Sequence, residues 1–372
     1  MKILQLIYES PDSPFGFGGA GVRACEIYQR LSRRHEITLL CMKYPGARDG
    51  EVRGLRHIFA GTGSPNLVKS VLSYTLKAAA FVRRHGDDFD VVVENFLPST
   101  PFCSGLFTRT PVILQVQGIM ERQALVKFPL YYGLPMFLVE RFYPARYRRF
   151  IFVSPVTKQK VLKRVKGRVD YSAVIPNGVN AGLLEADPVD GDYILFFSRI
   201  DSHTKGLDLL ISAFTGLADR YPGLRLVLAG YEFDRFSSLV STVPPHVRNR
   251  ISYAGFVSGD EKKALLSGAR VVVLPSRHES QPVSLIEAAA CAKPVVVSDI
   301  PELAFVVENK FGLSFPTGME SGLREILARV LDDEALRRQL GAAGRVYAGQ
   351  FLWDGLAEQF ENALQLTANG KK

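Results

Sequence analysis

The sequence predicts an α/β protein built from two doubly wound domains, each with a mostly parallel sheet. A chain of 372 residues exceeds the usual size of a single core, so about two domains are expected. Short, β-branched apolar runs, which suit strands covered on both faces, alternate with helical segments through both halves of the chain. This alternation is typical of parallel strands joined by helical crossovers.

The first half contains five predicted strands, each a short apolar run, and four predicted helices between them. The predicted strands are residues 2–8, 36–42, 90–94, 111–116 and 150–153. The predicted helices are residues 21–34, 66–85, roughly 135–148 and 156–165.

The second half repeats the scheme. Its predicted strands are residues 193–197, 225–229, 251–254, 271–274 and 294–297, and its predicted helices are residues 206–221, 259–267 and 282–292. The turn-rich run VIPNGVN, at 174–180, predicts the junction between the two domains.

The composition is that of a globular protein with buried cores, with 47% hydrophobic and 22% charged residues. Four cysteines stand far apart without a C-x-x-C pair, so they indicate neither a zinc site nor a disulfide framework. The opening apolar run is shorter than a signal peptide, and no stretch reaches the roughly 18 apolar residues of a membrane span. We therefore expect a reducing, cytoplasmic location.

Charge is divided unevenly along the chain. Residues 1–185 hold 26 Lys and Arg against 14 Asp and Glu, whereas residues 186–372 hold 20 against 23. The basic half could meet anionic lipid headgroups, a phosphorylated acceptor or nucleic acid, or it could be an ordinary solvated surface. Because no nucleic-acid-binding module accompanies it, we expect no nucleic acid partner, and an anionic membrane surface and a diphosphate-bearing acceptor remain the candidate partners.

The run PSRHESQPVSLIEAAACAKPVVVSDIP, at 275–301, holds two glutamates beside a predicted helix start. Glu279 is expected to close a loop, Pro282 to lie in the first helical turn, and Glu287 to lie inside the helix. The amides expected to face out of the positive helix end, where phosphate can bind, are those of Val283, Ser284 and Leu285. Because carboxylates suit hydroxyl groups, the segment predicts a diphosphate flanked by polyols, such as a nucleotide sugar. A surface helix with two solvated glutamates is the alternative.

Five runs, taken in order, resemble the donor-domain motifs of the retaining family 4 glycosyltransferases with the GT-B fold. They are IPNGVN, FFSRIDSHTKGLDLLISAF, LVLAGY, ISYAGFVSGDEKKALL and the two-glutamate run. FGGAGVRACEIYQRL and FLWDGLAEQFENAL also stand where the family has them. The resemblance implies two Rossmann-like domains facing across a cleft. Residues 1–178 would bind the acceptor, residues 179–352 would bind the donor, and a helix within 353–372 would pack back on the first domain.

The resemblance also implies the site residues. Arg199 and Lys205 would hold the diphosphate and Glu279 the sugar hydroxyls, and these three are the expected catalytic residues. The other expected donor-binding residues are Gly18, Gly19, Gln117, Gly230, Val257, Gln281, Val283, Ser284, Leu285 and Glu287. In the family, Glu287 would bind the ribose and Val257 would lie beside the base. The assignment of Arg199 and Lys205 also agrees with elementary chemistry, because fixed cations at the carboxyl edge of a sheet stabilise the negative charge that develops on a departing phosphate. We expect no metal and no cofactor. The UDP- or GDP-sugar is expected to be a substrate.

A glycine-rich loop offers a rival interpretation. Gly16, Gly18 and Gly21 spell G-x-G-x-x-G, the form of a dinucleotide-binding loop. The loop is too long for that tight turn, however, and Lys43 follows the second strand where an acidic residue is expected. An oxidoreductase is therefore disfavoured. In the resembled family Gly18 and Gly19 let the backbone approach the donor phosphate, and a flexible loop is the alternative.

One residue departs from a pattern of the resembled family, and one pair of residues imitates a pattern of other glycosyltransferases. Many relatives carry a histidine after the strand matching 111–116, where this chain has Gln117, which can bond a sugar hydroxyl but cannot shuttle a proton. Asp88 and Asp90 spell the D-x-D signature of metal-binding glycosyltransferases, but they stand at a turn before a strand, and we expect no metal there.

Residues 127–149 mix aromatic and aliphatic side chains with four arginines, which suits a lipid interface, a lipid-linked acceptor or a packed helix with a basic outer face. We predict a metal-independent, retaining hexosyltransferase that moves a sugar from UDP or GDP to a hydroxyl of a glycan or lipid-linked acceptor. It would act in cell-surface polysaccharide or glycolipid biosynthesis at the inner face of the cell membrane. A nucleotide-sugar epimerase of the same fold and a noncatalytic nucleotide-sugar-binding protein are the alternatives.

Overall fold

The computed structural model describes residues 1–370, which form two compact units. The first unit comprises Met1–Asn177 and the segment that begins at Trp353, and the second unit is Gly178–Leu352. The change of unit falls inside the VIPNGVN run, one residue before the boundary predicted from the sequence.

A single sheet forms the centre of the first unit. Its strands are β1 (Lys2–Leu6), β2 (Glu36–Met42), β3 (Gly50–Val52), β4 (Leu55–Ala60), β5 (Val91–Asn95), β6 (Val112–Val116), β7 (Arg149–Phe152) and β8 (Tyr171–Val174). Their order is β3-β4-β2-β1-β5-β6-β7-β8, and every neighbouring pair is parallel except β3 with β4. The strand order reverses between β1 and β5, so the switch point of this sheet lies between these two strands.

Helices connect these strands. They are α1 (Gly19–Leu31), α2 (Leu67–His85), α3 (Gln123–Lys127), α4 (Leu130–Phe142) and α5 (Pro155–Leu162). The α2 helix begins where the Asn66 side chain accepts a bond from the Lys69 amide, and Ser154 caps α5 in the same way. The helix predicted over roughly 135–148 is present with different bounds, because it ends at Phe142 and a 3-10 turn follows at Tyr143–Arg146. The helix begins at Leu130 and continues through Pro135, whose ring removes only the bond to the carbonyl of the exposed Tyr131.

The second unit has its own sheet and core. Its strands are β9 (Tyr193–Phe197), β10 (Arg225–Ala229), β11 (Ile251–Tyr253), β12 (Val271–Leu274), β13 (Val295–Ser298) and β14 (Gly312–Phe315). Their order is β11-β10-β9-β12-β13-β14 and all pairs are parallel, so the switch point lies between β9 and β12. Fully buried Leu195, Val272 and Val296 lie in one continuous core around this sheet.

The helices of the second unit are α6 (Ala181–Leu184), α7 (Leu207–Leu217), α8 (Phe236–Leu239), α9 (Pro245–Arg248), α10 (Gly259–Ser267), α11 (Val283–Ala290), α12 (Ala304–Glu308), α13 (Glu320–Asp332) and α14 (Glu334–Ala348). A last helix, α15 (Trp353–Asn369), packs on α1 of the first unit, where the rings of Tyr28 and Phe360 meet edge to face at 5.8 Å. One-turn 3-10 helices lie at Gly86–Asp88, Ser104–Leu106, Tyr143–Arg146, Pro301–Leu303 and Gly349–Phe351. Within residues 1–370, no helix is both long and apolar enough to cross a membrane.

Candidate active site

The loops that follow β9 and β12 form the centre of the candidate site. These two strands are adjacent and parallel, and the chain leaves them toward opposite sides of the sheet. Open α/β sheets bind ligands in the crevice at such a point. The β9 loop carries Arg199 and Lys205, and the β12 loop carries Glu279. The fold therefore brings the three predicted catalytic residues to one edge of one sheet.

Lys205 and Glu279 form a close ion pair across these two loops. Lys205 Nζ lies 2.6 Å from Glu279 Oε1, and the Ser276 hydroxyl donates to the same oxygen at 2.7 Å. Glu279 is only 7% exposed, so the pair is largely removed from water. Charge-assisted bonds of this kind are short and geometrically strict, which fixes the ammonium and the carboxylate relative to each other.

Arg199 is held by a carboxylate that the sequence reasoning missed. Its Nη2 donates to Asp201 Oδ2 at 2.7 Å, and its guanidinium lies 5.2 Å from the centre of the Phe233 ring. Asp201 is 2% exposed, and its other oxygen accepts a bond from the Thr204 amide at 2.8 Å. Asp201 therefore orients Arg199 and shapes the loop that leads to Lys205. The signal in the sequence was an acidic residue two positions after the predicted arginine.

The start of α11 differs in detail from the prediction. Pro282 precedes the helix as its N-cap, with extended backbone at φ −71° and ψ 121°, instead of lying in its first turn. The Leu285 amide donates to the Pro282 carbonyl at 3.3 Å, so this predicted amide is already bonded within the first turn. The helix end therefore offers the amides of Val283 and Ser284.

Glu287 lies inside α11, as predicted, and pairs with a second cation that the sequence reasoning missed. Lys262 of α10 places its Nζ 2.6 Å from Glu287 Oε1. Both side chains are mostly buried. Gln281 is half-buried between Glu279 and the first turn of α11.

Two further predicted positions lie on neighbouring loops. The Val257 side chain is 3% exposed and packs into the core, whereas the adjacent Phe256 ring is 58% exposed and presents the aromatic face of this loop. Gly230 has a φ of +141°, and a Cβ there would lie 2.0 Å from the carbonyl oxygen of Ser198. The close approach of Gly230 to the chain just before Arg199 explains why glycine is needed at this position.

In the first unit, the predicted glycine loop is already bonded to a carboxylate. Glu9 Oε2 accepts bonds from the amides of Gly18, at 2.9 Å, and Gly21, at 2.6 Å. Gly18 is the N-cap of α1 and Gly19 is its first residue. The amides that the sequence assigned to a donor phosphate are thus in part bonded to the chain's own side chain.

Gln117 lies just beyond β6 beside other buried amides. Its Nε2 donates to Asn95 Oδ1 at 2.8 Å, and Gln115 Nε2 donates to the same oxygen at 3.4 Å. The amide nitrogen of Gln117 is therefore engaged, and its oxygen is the atom left to accept a bond from a hydroxyl. The neighbouring Glu94 is fully buried and accepts bonds from the hydroxyls of Tyr143 and Tyr147 and from the Ser104 amide, and burial raises the pKa of its carboxyl.

Two family models match the chain. The model described as Glycosyltransferase Family 4 matches residues 17–183, and the model described as Glycosyl transferases group 1 matches residues 185–347. This chain belongs to the glycosyltransferase family that these two models describe. The family resemblance inferred from the motifs is confirmed.

Named relatives of this family 4 glycosyltransferase include two enzymes with inositol in their names. The chain is 28% identical over 203 residues to phosphatidyl-myo-inositol mannosyltransferase of Mycobacterium leprae, which covers 52% of this chain and 53% of that protein. It is 33% identical over 181 residues to D-inositol 3-phosphate glycosyltransferase of Jonesia denitrificans. The aligned region covers 45% of this chain and 41% of that protein. The chain spans about half the length of the relatives it matches.

Solved structures resemble the glycosyltransferase over nearly its whole length. Sucrose-phosphate synthase from Thermosynechococcus elongatus superimposes with a TM-score of 0.83 at 21% identity, covering 99% of this chain and 100% of that one. HepE of Anabaena, solved in complex with UDP and glucose, gives a TM-score of 0.75 at 18% identity, covering 98% and 99%. The fold is therefore GT-B, as predicted.

Proposed function

We propose that this protein is a retaining hexosyltransferase that uses a nucleoside diphosphate sugar and needs no metal. The observation that carries the proposal is the cluster of Arg199, Lys205 and Glu279 on two adjacent loops at the switch point of one sheet. Two cations beside a helix amino terminus suit a diphosphate, and the carboxylate beside them suits the hydroxyls of the attached sugar.

The chemistry of the leaving group follows from these contacts. As the bond between the anomeric carbon and the diphosphate breaks, negative charge grows on the departing phosphate oxygen. Lys205 and Arg199 would stabilise this charge, because each is already oriented by a carboxylate and needs little reorganisation. Glu279 would accept bonds from sugar hydroxyls, and Glu287, held by Lys262, would accept bonds from the ribose.

Retention of the anomeric configuration requires no protein nucleophile in this proposed mechanism. The acceptor hydroxyl forms its bond to the anomeric carbon on the face that the diphosphate leaves, and a phosphate oxygen takes the hydroxyl proton. The cations supply the positive charge that a metal provides in other transferases, so we expect EDTA to leave the rate unchanged. The anomeric configuration of the product, read by NMR, tests retention.

The donor is proposed to be a UDP- or GDP-sugar, and the acceptor a glycan or a lipid-linked hydroxyl in polysaccharide or glycolipid synthesis. HepE, with the same fold, was solved with UDP-glucose, and a relative is named for transfer of mannose to a phosphatidylinositol. The exposed Phe256 ring is suited to stack on the base. Gln117, through its oxygen, would accept a bond from a sugar hydroxyl.

A panel of nucleotide sugars tests the proposal. We expect one UDP- or GDP-sugar to bind in calorimetry and to be consumed when an acceptor is present. An epimerase would release free nucleoside diphosphate without an acceptor, and a noncatalytic binding protein would bind a donor without turning it over. Failure of every donor to bind would contradict the proposed function.

We further propose that the first unit docks on an anionic membrane surface at the inner face of the cell membrane. Apolar side chains on α4 face outward, and Tyr131 is 83% exposed. The exposed apolar residues of this helix are Leu130, Tyr131, Leu134, Leu138 and Phe142. Lys127 precedes them and Arg141 lies among them, so apolar insertion and attraction to anionic headgroups would act together.

Vesicle binding tests this docking. We expect the protein to cosediment with phosphatidylglycerol vesicles at low ionic strength and to dissociate as salt is added. The double variant Tyr131→Ser, Leu134→Ser should bind roughly tenfold or more weakly, because each buried apolar side chain contributes about 1.5–3 kcal/mol at full insertion. Val346→Ser, which changes a similarly exposed apolar residue of the second unit, should bind like wild type. No cosedimentation at low salt would remove the proposal.

A further inference from the structure

An arginine outside the predicted site ties the two central loops of the second unit together. Arg277 lies two residues before Glu279, and its guanidinium makes a two-pronged bond to Asp208 of α7. Nη1 donates to Oδ1 at 2.8 Å and Nη2 donates to Oδ2 at 2.9 Å. Planar fork-to-carboxylate bonds of this kind fix direction as well as distance. We call this contact the Arg277 strut.

The strut has two further points of attachment to the Lys205 loop. Arg277 Nη1 also donates to the His203 carbonyl at 2.8 Å. The backbone amide of Arg277 donates to the Thr204 carbonyl at 3.0 Å. The residue immediately before Lys205 is thus bonded directly to the loop that carries Glu279.

Backbone packing continues the contact on the other side of Lys205. Gly206 has a φ of +68°, and a Cβ there would lie 2.0 Å from the Pro275 carbonyl oxygen. Lys205 is therefore enclosed between two points, Thr204 and Gly206, at which its loop touches the β12 loop. The Lys205–Glu279 ion pair closes the same junction.

We propose that Arg277 is a positioning residue for sugar transfer, which sets the separation of Lys205 and Glu279 without touching the donor. The inference rests on the proposed function of those two residues. Its side chain makes three bonds within the protein, all directed at the loop and helix that flank Lys205. Because a displacement of about 1 Å at reacting groups can cost roughly 100-fold in rate, a lost strut should slow transfer more than it weakens donor binding.

The alternative is an ordinary ion pair that contributes at most about 1 kcal/mol to stability and nothing to catalysis. The second unit contains a matched control for this alternative. Arg225, at the amino end of β10 and so at the edge of the sheet opposite the site, makes a comparable two-bond fork to Asp192, in which Nε and Nη2 donate at 3.1 and 2.7 Å. A purely structural role predicts that breaking either fork leaves kcat unchanged.

The experiment compares the single and double variants of each fork, Arg277→Met with Asp208→Asn and Arg225→Met with Asp192→Asn. Steady-state kinetics gives kcat and the KM for the donor. Hydrogen exchange read by mass spectrometry reports on the peptides covering 200–206 and 275–281. We expect Arg277→Met and Asp208→Asn each to lower kcat by about 10- to 100-fold, with KM changed less than about threefold. The double variant should be no slower than either single one. Arg277→Lys should recover part of kcat, because an ammonium can still reach one oxygen of Asp208.

Exchange in both loop peptides should accelerate in the Arg277 variants and remain as in wild type in the Arg225 variants. Unchanged kcat and exchange in Arg277→Met would overturn the inference. It would also be overturned if the Arg225 variants lost as much activity as the Arg277 variants. If wild type turned over no nucleotide sugar, the proposed function would fall, whereas faster exchange in Arg277→Met would still show that the strut ties the loops.

Discussion

Replacing Arg199 or Lys205 with alanine should lower kcat by about 100- to 1000-fold, which corresponds to roughly 3–4 kcal/mol of lost transition-state stabilisation. Each cation is proposed to face the phosphate oxygen on which charge develops, and each is fixed by a carboxylate, Asp201 or Glu279, in the second unit. Because the effect arises at the departing oxygen, it should appear in kcat with the identified donor at saturation.

Folding must be separated from catalysis in this comparison, because Lys205→Ala removes the cation paired with the nearly buried Glu279. Thermal unfolding should therefore accompany the kinetics, and Lys205→Ala should be measured with and without Glu279→Gln, which removes the carboxylate charge. Arg225→Ala and Lys263→Ala change cations elsewhere in the second unit and should retain wild-type turnover. If Arg199→Ala and Lys205→Ala both kept the wild-type rate, the assignment of the leaving-group site would be wrong.

Gly230→Ala should lower the free energy of unfolding of the second unit by roughly 3 kcal/mol, through backbone strain and overpacking. The backbone at Gly230 has a φ of +141°, and the new Cβ would lie 2.0 Å from the Ser198 carbonyl oxygen and 2.6 Å from its carbon. Both atoms belong to the peptide group that joins Ser198 to Arg199. They therefore cannot move away from the new Cβ without displacing Arg199.

Calorimetry measures this effect. A loss of this size should lower the unfolding temperature by roughly 6–12 °C for a unit of this length. Gly223→Ala is the matched control, because it precedes the same strand and a Cβ there meets nothing within 4 Å. Its unfolding temperature should remain close to that of wild type. A Gly230→Ala protein that unfolded at the wild-type temperature would show that the close approach to Ser198 is relaxed at little cost.

The sequence predicts the buried strands well because their signal is local. The bounds of β9, β10 and β12 agree with the predictions, since each contains an uninterrupted apolar run of at least four residues covered on both faces. The strands β3, β4, β8 and β14 were missed. In β4, buried residues alternate with Arg56 and other less buried positions, and β8 is a half-buried edge strand, so neither forms an apolar run.

The loops of the candidate site were predicted, but the partners within them were not. Arg199, Lys205 and Glu279 follow strands, so their common sheet edge follows from parallel topology. The partners are remote in sequence: Lys262 is 25 residues from Glu287, and Arg277 is 69 from Asp208. No local pattern selects such pairs. The bonds that Glu9 accepts from the glycine loop were missed for a related reason. A glycine-rich run indicates that an anion binds there, but it does not indicate whether the anion is a ligand or a side chain of the protein.

The most direct test of the central claim is a crystal structure of the protein with UDP or GDP bound. We expect the diphosphate within hydrogen-bonding distance of Arg199 and Lys205, at the start of α11, with the ribose hydroxyls on Glu287. A nucleotide bound away from the carboxyl edge of β9 and β12, or one that left both cations on their carboxylate partners without contact to phosphate, would contradict it.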